Sequence, residues 1–284
     1  MKTKITCMFF VFFTVFLSHA QLSGVEYDSK QFSQFKASRT YVLLTGDQKF
    51  DSEMQAAFAD VWKITPYEFM NPNDFEAKMP DKSASFLLFI DIYFDKGEQE
   101  HFLTLINGGK KKFKQYNYLD FISYCPLNYW LNEPKNIDCA FRVRSMIQSM
   151  LQSIEIVEKN SISGNYYKIE EKLKKVYNKK APNISKKTLL ICEDGIGTKL
   201  PKSDISGIYP YKFEMCNKEK IEQVIKDKNT DYCYLQVAST KKKSLYVFDA
   251  ATGEVLYYDF SPAFGGMNIK KSHLEDLVDA IKGK

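Results

Sequence analysis

The sequence predicts a mixed fold, α+β or α/β in class, built from two tandem and divergent copies of one mixed-sheet unit. The hexapeptide Ile64–Phe69 reappears as Ile208–Phe213, with four of six residues identical. In both copies a short helical pattern and then an apolar strand follow at nearly the same distance along the chain. Each copy ends in a helix with one apolar face. Each unit is therefore expected to run strand, helix or loop, strand, helix, strand, hairpin, helix.

The first 39 residues precede both units. Two lysines, the apolar run Cys7–Leu17 and a small-residue site ending at Ala20 are typical of a cleavable signal peptide, which we place at residues 1–20. The apolar run is shorter than the ~20 residues that a helix needs to cross a bilayer, and no later segment is long and apolar enough. After cleavage we expect a secreted or periplasmic protein without a transmembrane segment, with an N-terminal extension at residues 21–39.

Each unit opens with a buried-strand pattern, Tyr41–Leu44 in the first and Thr188–Ile191 in the second. Both strands lead into a turn that carries acids, which are Asp47, Glu193 and Asp194. The first unit then shows a helical pattern at residues 54–61. In the second unit, glycines and a proline within residues 195–207 predict a loop instead.

Beyond the hexapeptide the two units show the same signals in the same order. An apolar strand leads into a hairpin signal, in which glycine supplies the positive φ that such turns need. A closing helix follows at residues 143–154 in the first unit and at residues 274–281 in the second. Ser272 and Glu275 have the spacing of a capping box before the second of these helices.

These elements place the first unit at residues 40–160 and the second at residues 187–284. The segment between them, residues 161–186, has apolar residues at helical spacing before Pro182 and predicts a charged amphipathic connector helix. The first unit also carries an aromatic insertion at residues 118–137. The order of elements resembles that of α/β modules in cell-envelope proteins of the TolB amino-terminal and CsgG kind. This resemblance involves no motif, so it implies no function and no site residue.

Composition excludes some classes of partner. The chain is 44% hydrophobic and 26% charged, which is typical of a globular protein with a real core. Loss of Lys2 and Lys4 with the signal peptide lowers the formal charge from +5 to +3. So weak a bias, with no basic stripe of interleaved aromatic residues, predicts no nucleic-acid partner.

Removal of the signal peptide leaves five cysteines, so at least one thiol has no partner within the chain. Cys125 and Cys139 bracket an aromatic loop, and we predict a disulfide between them. Cys192, Cys216 and Cys233 lie in or beside predicted strands, away from any metal-ligand spacing. They are predicted to be buried structural thiols.

The sequence assembles no catalytic constellation. His101 and His273 are predicted to be exposed and far apart, and no Gly-x-Ser-x-Gly turn occurs. Asp47, Glu193 and Asp194 follow the carboxyl ends of equivalent strands, where open α/β sheets place ligands. A metal-assisted hydrolase that uses these acids is therefore the alternative function, although an aspartate after a strand more commonly caps a turn. We predict no cofactor.

The aromatic insertion supplies the other candidate ligand-facing residues, Tyr129 and Trp130. Aromatic side chains stack on sugars and anchor protein interfaces, but they also fill the end of a core. The favoured function is a non-catalytic envelope or secreted binding protein. Its unknown protein or glycan partner would bind the insertion or the groove between the two units.

Overall fold

The fold was obtained as a computed structural model. No helix in its described part is long and apolar enough to span a membrane. The described part comprises residues 13–16, 28–93, 99–116, 120–126, 140–163, 166–193, 200, 202–239, 242–262 and 269–284.

The first unit is built on a mixed sheet. Its strands are β1 (Phe13–Phe16), β2 (Arg39–Leu43), β3 (Tyr67–Met70), β4 (Ala84–Tyr93), β5 (Gln99–Asn107) and β6 (Phe121–Pro126). Five of them lie in the order β3-β2-β4-β5-β6, in which β2 is parallel to β3 and β4, and the later pairs are antiparallel. The short β1 falls in the predicted signal peptide and pairs in parallel with the far end of β4.

The second unit repeats this topology. Its strands are β7 (Thr188–Cys192), β8 (Phe213–Cys216), β9 (Tyr232–Ser239), β10 (Lys242–Asp249) and β11 (Val255–Pro262). They lie in the order β8-β7-β9-β10-β11, with β7 parallel to β8 and β9 and the later pairs antiparallel. Strand for strand, the two sheets have the same order and the same directions, so the predicted tandem arrangement of two similar units is confirmed.

The strand registers also agree with the alignment of the two hexapeptides. Phe69 pairs with Val42 in the first sheet, and Phe213 pairs with Leu189 in the second. These are the pairs expected if residues 64–69 correspond to residues 208–213 and the opening strand at residues 41–44 corresponds to residues 188–191. The repeat therefore extends from sequence identity to the position of single residues in the two sheets.

The shared proline stands outside the regular part of an edge strand in both units. Pro66 directly precedes β3, and its carbonyl accepts a hydrogen bond from the Thr40 N–H at 2.8 Å. Pro210 lies three residues before β8. Proline lacks an N–H, which explains why it is confined to the start of an edge strand. Tyr67 and Phe69 both pack on one core of the protein, as their shared parity predicts.

The helices occur at corresponding places in the two units. α2 and α6 follow the first strand of each unit, α3 and α7 follow the edge strand, and α4 and α8 close the units. α1 lies between β1 and β2, and α5 continues into a 3-10 run at Asn178–Lys186. The bounds are α1 (Ser29–Lys36), α2 (Gln48–Val61), α3 (Phe75–Lys78), α4 (Val143–Lys159), α5 (Tyr166–Tyr177), α6 (Lys202–Ile208), α7 (Lys218–Lys226) and α8 (Lys271–Ile281).

Helix α4 lies between the two sheets and joins the units. Its Ser153 hydroxyl is 2.8 Å from that of Ser123 on β6. Two turns nearer the start of the helix, the Ser145 hydroxyl accepts a hydrogen bond from Tyr234 on β9 at 2.6 Å. Gly253, with φ of +74°, brings the β10–β11 turn so close to α4 that an added Cβ would lie 3.1 Å from the Ser145 Cα. The main core therefore contains residues of both units.

Three local predictions differ from the structure. The predicted loop of residues 195–207 contains the short helix α6, which Ile205 anchors by full burial despite the helix-weakening Gly207. Strand β6 falls inside the predicted insertion and is the counterpart of β11, so the insertion is shorter than its pattern indicates.

The third difference concerns the start of α8. His273 is buried, and its Nδ1 accepts a hydrogen bond from the Lys270 N–H at 2.9 Å. The N-cap is therefore Lys270 instead of the predicted Ser272, the imidazole takes the N3 acceptor role that was predicted for Glu275, and His273 is not the exposed residue expected.

Candidate ligand site between the two sheet units

The predicted acid Asp47 is a helix cap. Its carboxylate accepts a hydrogen bond from the Phe50 N–H at 2.8 Å, at the start of α2. Asp51 closes the same turn by accepting from Thr45 and from the Gly46 N–H at 2.8 and 2.9 Å. Both carboxylates thus hold the turn between β2 and α2, which is the structural role that a capping aspartate takes.

The other predicted site residues are not brought to Asp47 by the described structure. Glu193 is exposed at the end of β7, in the other sheet. Asp194, Tyr129, Trp130 and Cys139 lie outside the described residues and stay predictions. Among the residues that the structure describes, no three His, Cys, Asp or Glu side chains are grouped closely enough to hold a metal ion.

A cavity of about 60 Å³ lies where the two units and the connector meet. Strand β6 and helix α4 of the first unit, the connector helix α5, and strands β10 and β11 of the second unit form its wall. One water needs roughly 10–15 Å³ on the same measure. The cavity therefore has room for a ligand group of a few heavy atoms.

A buried carboxylate faces this cavity. Glu170 on α5 is only 7% exposed. Its Oε2 accepts a hydrogen bond from the Tyr258 hydroxyl at 2.5 Å, and its Oε1 accepts one from the Tyr124 hydroxyl at 3.3 Å. Tyr124 belongs to the first sheet and Tyr258 to the second. The connector thus carries one acid that is held by both units.

Stacked aromatic rings form the side of the cavity that belongs to the second sheet. The rings of Tyr246 and Tyr258 lie 4.7 Å apart and nearly parallel, and Phe260 continues the stack at 6.0 Å from Tyr258. In the other direction Phe248 stacks on Tyr246 at 5.4 Å. Such stacks are rigid and present ring faces and edges at fixed places.

Hydroxyl and thiol groups line the side that belongs to the first unit. Ser123 and Ser153 are hydrogen-bonded to each other, and the Ser149 hydroxyl lies 3.9 Å from the Cys125 sulfur. The Tyr177 hydroxyl donates to the Ser149 carbonyl at 3.5 Å. The cavity therefore combines ring surfaces with several polar atoms, as small-molecule sites commonly do.

The charge of Glu170 affects the pKa of a neighbouring tyrosine. Burial raises the pKa of Tyr177, and the negative charge of Glu170 raises it further, so this tyrosine stays a neutral donor. Lys174 lies one helical turn beyond Glu170, and its ammonium is held by the buried Asp259 at 2.5 Å. Glu170 is the one formally charged residue among the described residues that line the cavity.

A second, larger cavity of about 230 Å³ lies on the other side of α4, between α2 and α7. Three of the charged side chains that line it form ion pairs with one another. Asp60 accepts from Arg144 at 2.6 Å and from Lys228 at 3.0 Å, and these bonds lower its pKa. This cleft links the two units by ion pairs, and none of the charged residues among its described lining is buried.

The sequence contains a signal for Glu170. Ile169 and Leu173 are buried, and Tyr177 lies one further turn along the same face of α5. An acid within such an apolar stripe indicates a buried charge with specific partners. The partners themselves, on β6 and β11, follow only from the packing of both sheets around the connector.

Comparison of the chain with known proteins adds no relative. No protein-family model matches it, and neither the curated proteins nor the solved structures gave a significant match.

Proposed function

We propose that this chain is an exported, non-catalytic binding protein that holds its ligand in the cavity between the two sheet units. The observation that carries the proposal is Glu170, a buried carboxylate oriented by one tyrosine from each unit at the wall of an open space. Keeping a charge buried is costly, which favours a role beyond packing.

Further support comes from how the cavity is built. Its wall needs both units and the connector, so a ligand bound there would stabilise their mutual arrangement. The signal-peptide pattern supports export to the periplasm or the outside of the cell. The alternative, a metal-assisted hydrolase, would need acids that converge, whereas Asp47 is engaged as a helix cap and Glu193 lies in the other sheet.

The proposal is tested by thermal shift on the protein purified after export, screened against glycans, peptidoglycan fragments and small metabolites. A ligand that binds the folded state raises the melting temperature by mass action. Ser153→Met places a larger side chain into the cavity. Ala56→Leu is the matched control, because Ala56 lines the second cavity on the other side of α4.

We expect at least one compound to raise the melting temperature of the unmodified protein and of Ala56→Leu, but not that of Ser153→Met. A shift that is equal in all three proteins would place the ligand elsewhere, and the absence of any shift across the screen would contradict the proposal. Calcium and zinc are included, since a shift with either would favour the metal-dependent alternative.

A further inference from the structure

We infer that removal of the signal peptide opens a strand-binding slot on β4, and that an extended, apolar and β-prone segment of a partner protein takes the place of β1 there. The slot is the edge of β4 at residues 90–93, which pairs with β1 in the uncleaved chain. The inference goes beyond the cavity between the units and rests instead on the predicted cleavage after Ala20.

Strand β4 is longer than the opening strand that lies beside it. On one side of β4, strand β5 pairs with residues 85–93. On the other side, β2 pairs only with residues 84–87, and β1 occupies the same edge at residues 90–93. Two short parallel strands, one behind the other, therefore cover an edge that β2 alone leaves half open.

The turn after β2 keeps this strand from covering the slot itself. Asp51 on α2 accepts hydrogen bonds from the Thr45 and Gly46 N–H groups at 2.8 and 2.9 Å, and Gly46 has a φ of +84°. A positive φ turns the chain away from the extended conformation that a strand requires. The gap beside the far end of β4 is therefore built into the fold.

Strand β1 is an addition to the repeated unit and not a part of it. In the second unit, β7 pairs only with residues 232–234 of β9, which is the counterpart of β4. No described residue of the second unit pairs with the rest of β9 on that side, whereas β10 pairs with residues 233–239 on the other. Since the second sheet forms without a strand in this position, we expect the first sheet to stay folded when β1 is removed.

The segment that occupies the slot in the uncleaved chain indicates which chemistry the slot accepts. β1 has the sequence Phe-Thr-Val-Phe and runs parallel to β4, with Phe13 opposite Ile90. Ile90 is fully buried in the core of the first unit. Aromatic and β-branched residues favour strands, and an unpaired strand edge is a template for another strand. Main-chain hydrogen bonds give such an added strand its affinity.

The test is a binding titration of the mature exported chain with a soluble peptide that carries residues 12–17 between added lysines. The uncleaved chain is the matched control, because its tethered β1 competes for the same edge. We expect the mature chain to bind the peptide, and the uncleaved chain to bind it at least about tenfold more weakly. Equal binding by the two chains, or no binding by either, would overturn the inference.

Two N-methylated peptides distinguish strand addition from unspecific apolar contact. One carries N-methyl groups at the positions of Phe13 and Val15, and the other at those of Thr14 and Phe16. Because only alternate N–H groups of a strand face one neighbour, one of these peptides should lose its binding and the other should keep it. Loss of binding by both peptides, or by neither, would contradict pairing with β4.

Amide hydrogen exchange locates the binding on β4. In the mature chain, amides within residues 90–93 should exchange at least about tenfold faster than in the uncleaved chain, and the peptide should restore their protection. Equal protection in the two chains would mean that the mature chain fills the slot with its own residues. Retention of residues 1–20 after export would mean that β1 stays in place. Either result would overturn the inference.

Discussion

The Tyr258 hydroxyl lies 2.5 Å from the Glu170 carboxylate, and this contact ties the last strand of the second unit to the connector helix. Both side chains are buried. The contact therefore contributes to the stability of the protein as well as to the candidate site.

Replacing Tyr258 by Phe should destabilise the protein. The change removes a hydrogen bond to a charged and buried acceptor, which typically contributes about 1.5–3 kcal/mol to the free energy of unfolding. Urea unfolding followed by circular dichroism measures this loss. Tyr211→Phe, on a half-buried ring in the second unit, is the control and should cost less than about 0.5 kcal/mol. Equal effects of the two changes would show that the bond to Glu170 contributes nothing specific.

The ion pairs of Asp60 should make stability depend on pH. Hydrogen bonds from Arg144 and Lys228 lower its pKa from the ordinary value of 3.8, so the folded state binds this proton less readily than the unfolded state does. The stabilisation is therefore present above pH 3.8 and is lost as the pH falls further.

Asp60→Asn tests this pH dependence. The variant should be less stable than the unmodified protein at pH 6, and the difference should shrink toward pH 3. Because Asp60 is partly exposed, the effect should also weaken in high salt. A difference in stability that does not change between pH 6 and pH 3 would contradict the assignment.

Two buried thiols should resist alkylation. Burial raises the pKa of Cys216 and of Cys233 to about 12 each. At pH 8 only roughly one molecule in ten thousand then carries the reactive thiolate at either position. Iodoacetamide should modify these cysteines in the unfolded protein but not in the native one, as mass spectrometry would show. Rapid labelling of either cysteine in the native protein would mean that the strand carrying it opens readily.

The disulfide predicted between Cys125 and Cys139 is tested independently of these buried thiols. Cys125 is buried on β6 at the wall of the candidate site, and a bridge closing so short a loop would contribute about 3 kcal/mol. Peptide mapping of exported protein without reductant should recover the two cysteines in one cross-linked peptide pair. Complete alkylation of both without reductant would exclude the bridge.

The repeat was predictable from sequence because it depends on local chemistry. Pro66 and Pro210 each interrupt a strand pattern, and Phe69 and Phe213 follow them at a fixed parity, so one hexapeptide defines the same edge strand twice. The spacing of apolar residues then predicts the order of the strands along the chain. Helix α6 escaped prediction because the glycines of residues 195–207 outweigh a single buried anchor, Ile205.

The site was less predictable because its residues are far apart in the chain. Asp47 and Glu193 follow equivalent strands, yet each belongs to its own sheet, so equivalence in the repeat does not make them neighbours. Tyr124, Glu170 and Tyr258 meet only because α4 and α5 pack between the sheets. Sequence patterns locate an acid on an apolar face, but they do not show which distant side chains meet it.

Fluorine NMR of the protein labelled with 3-fluorotyrosine tests the location of the ligand site most directly. A compound that raises the melting temperature in the thermal-shift screen should shift the resonances of Tyr124, Tyr177, Tyr246 and Tyr258, assigned one at a time through Tyr→Phe variants, because these rings line the cavity. The resonances of Tyr67 and Tyr211, on the two edge segments away from it, should not move. Shifts confined to tyrosines outside the cavity, or no shifts at a saturating concentration of the compound, would contradict a ligand site between the two units.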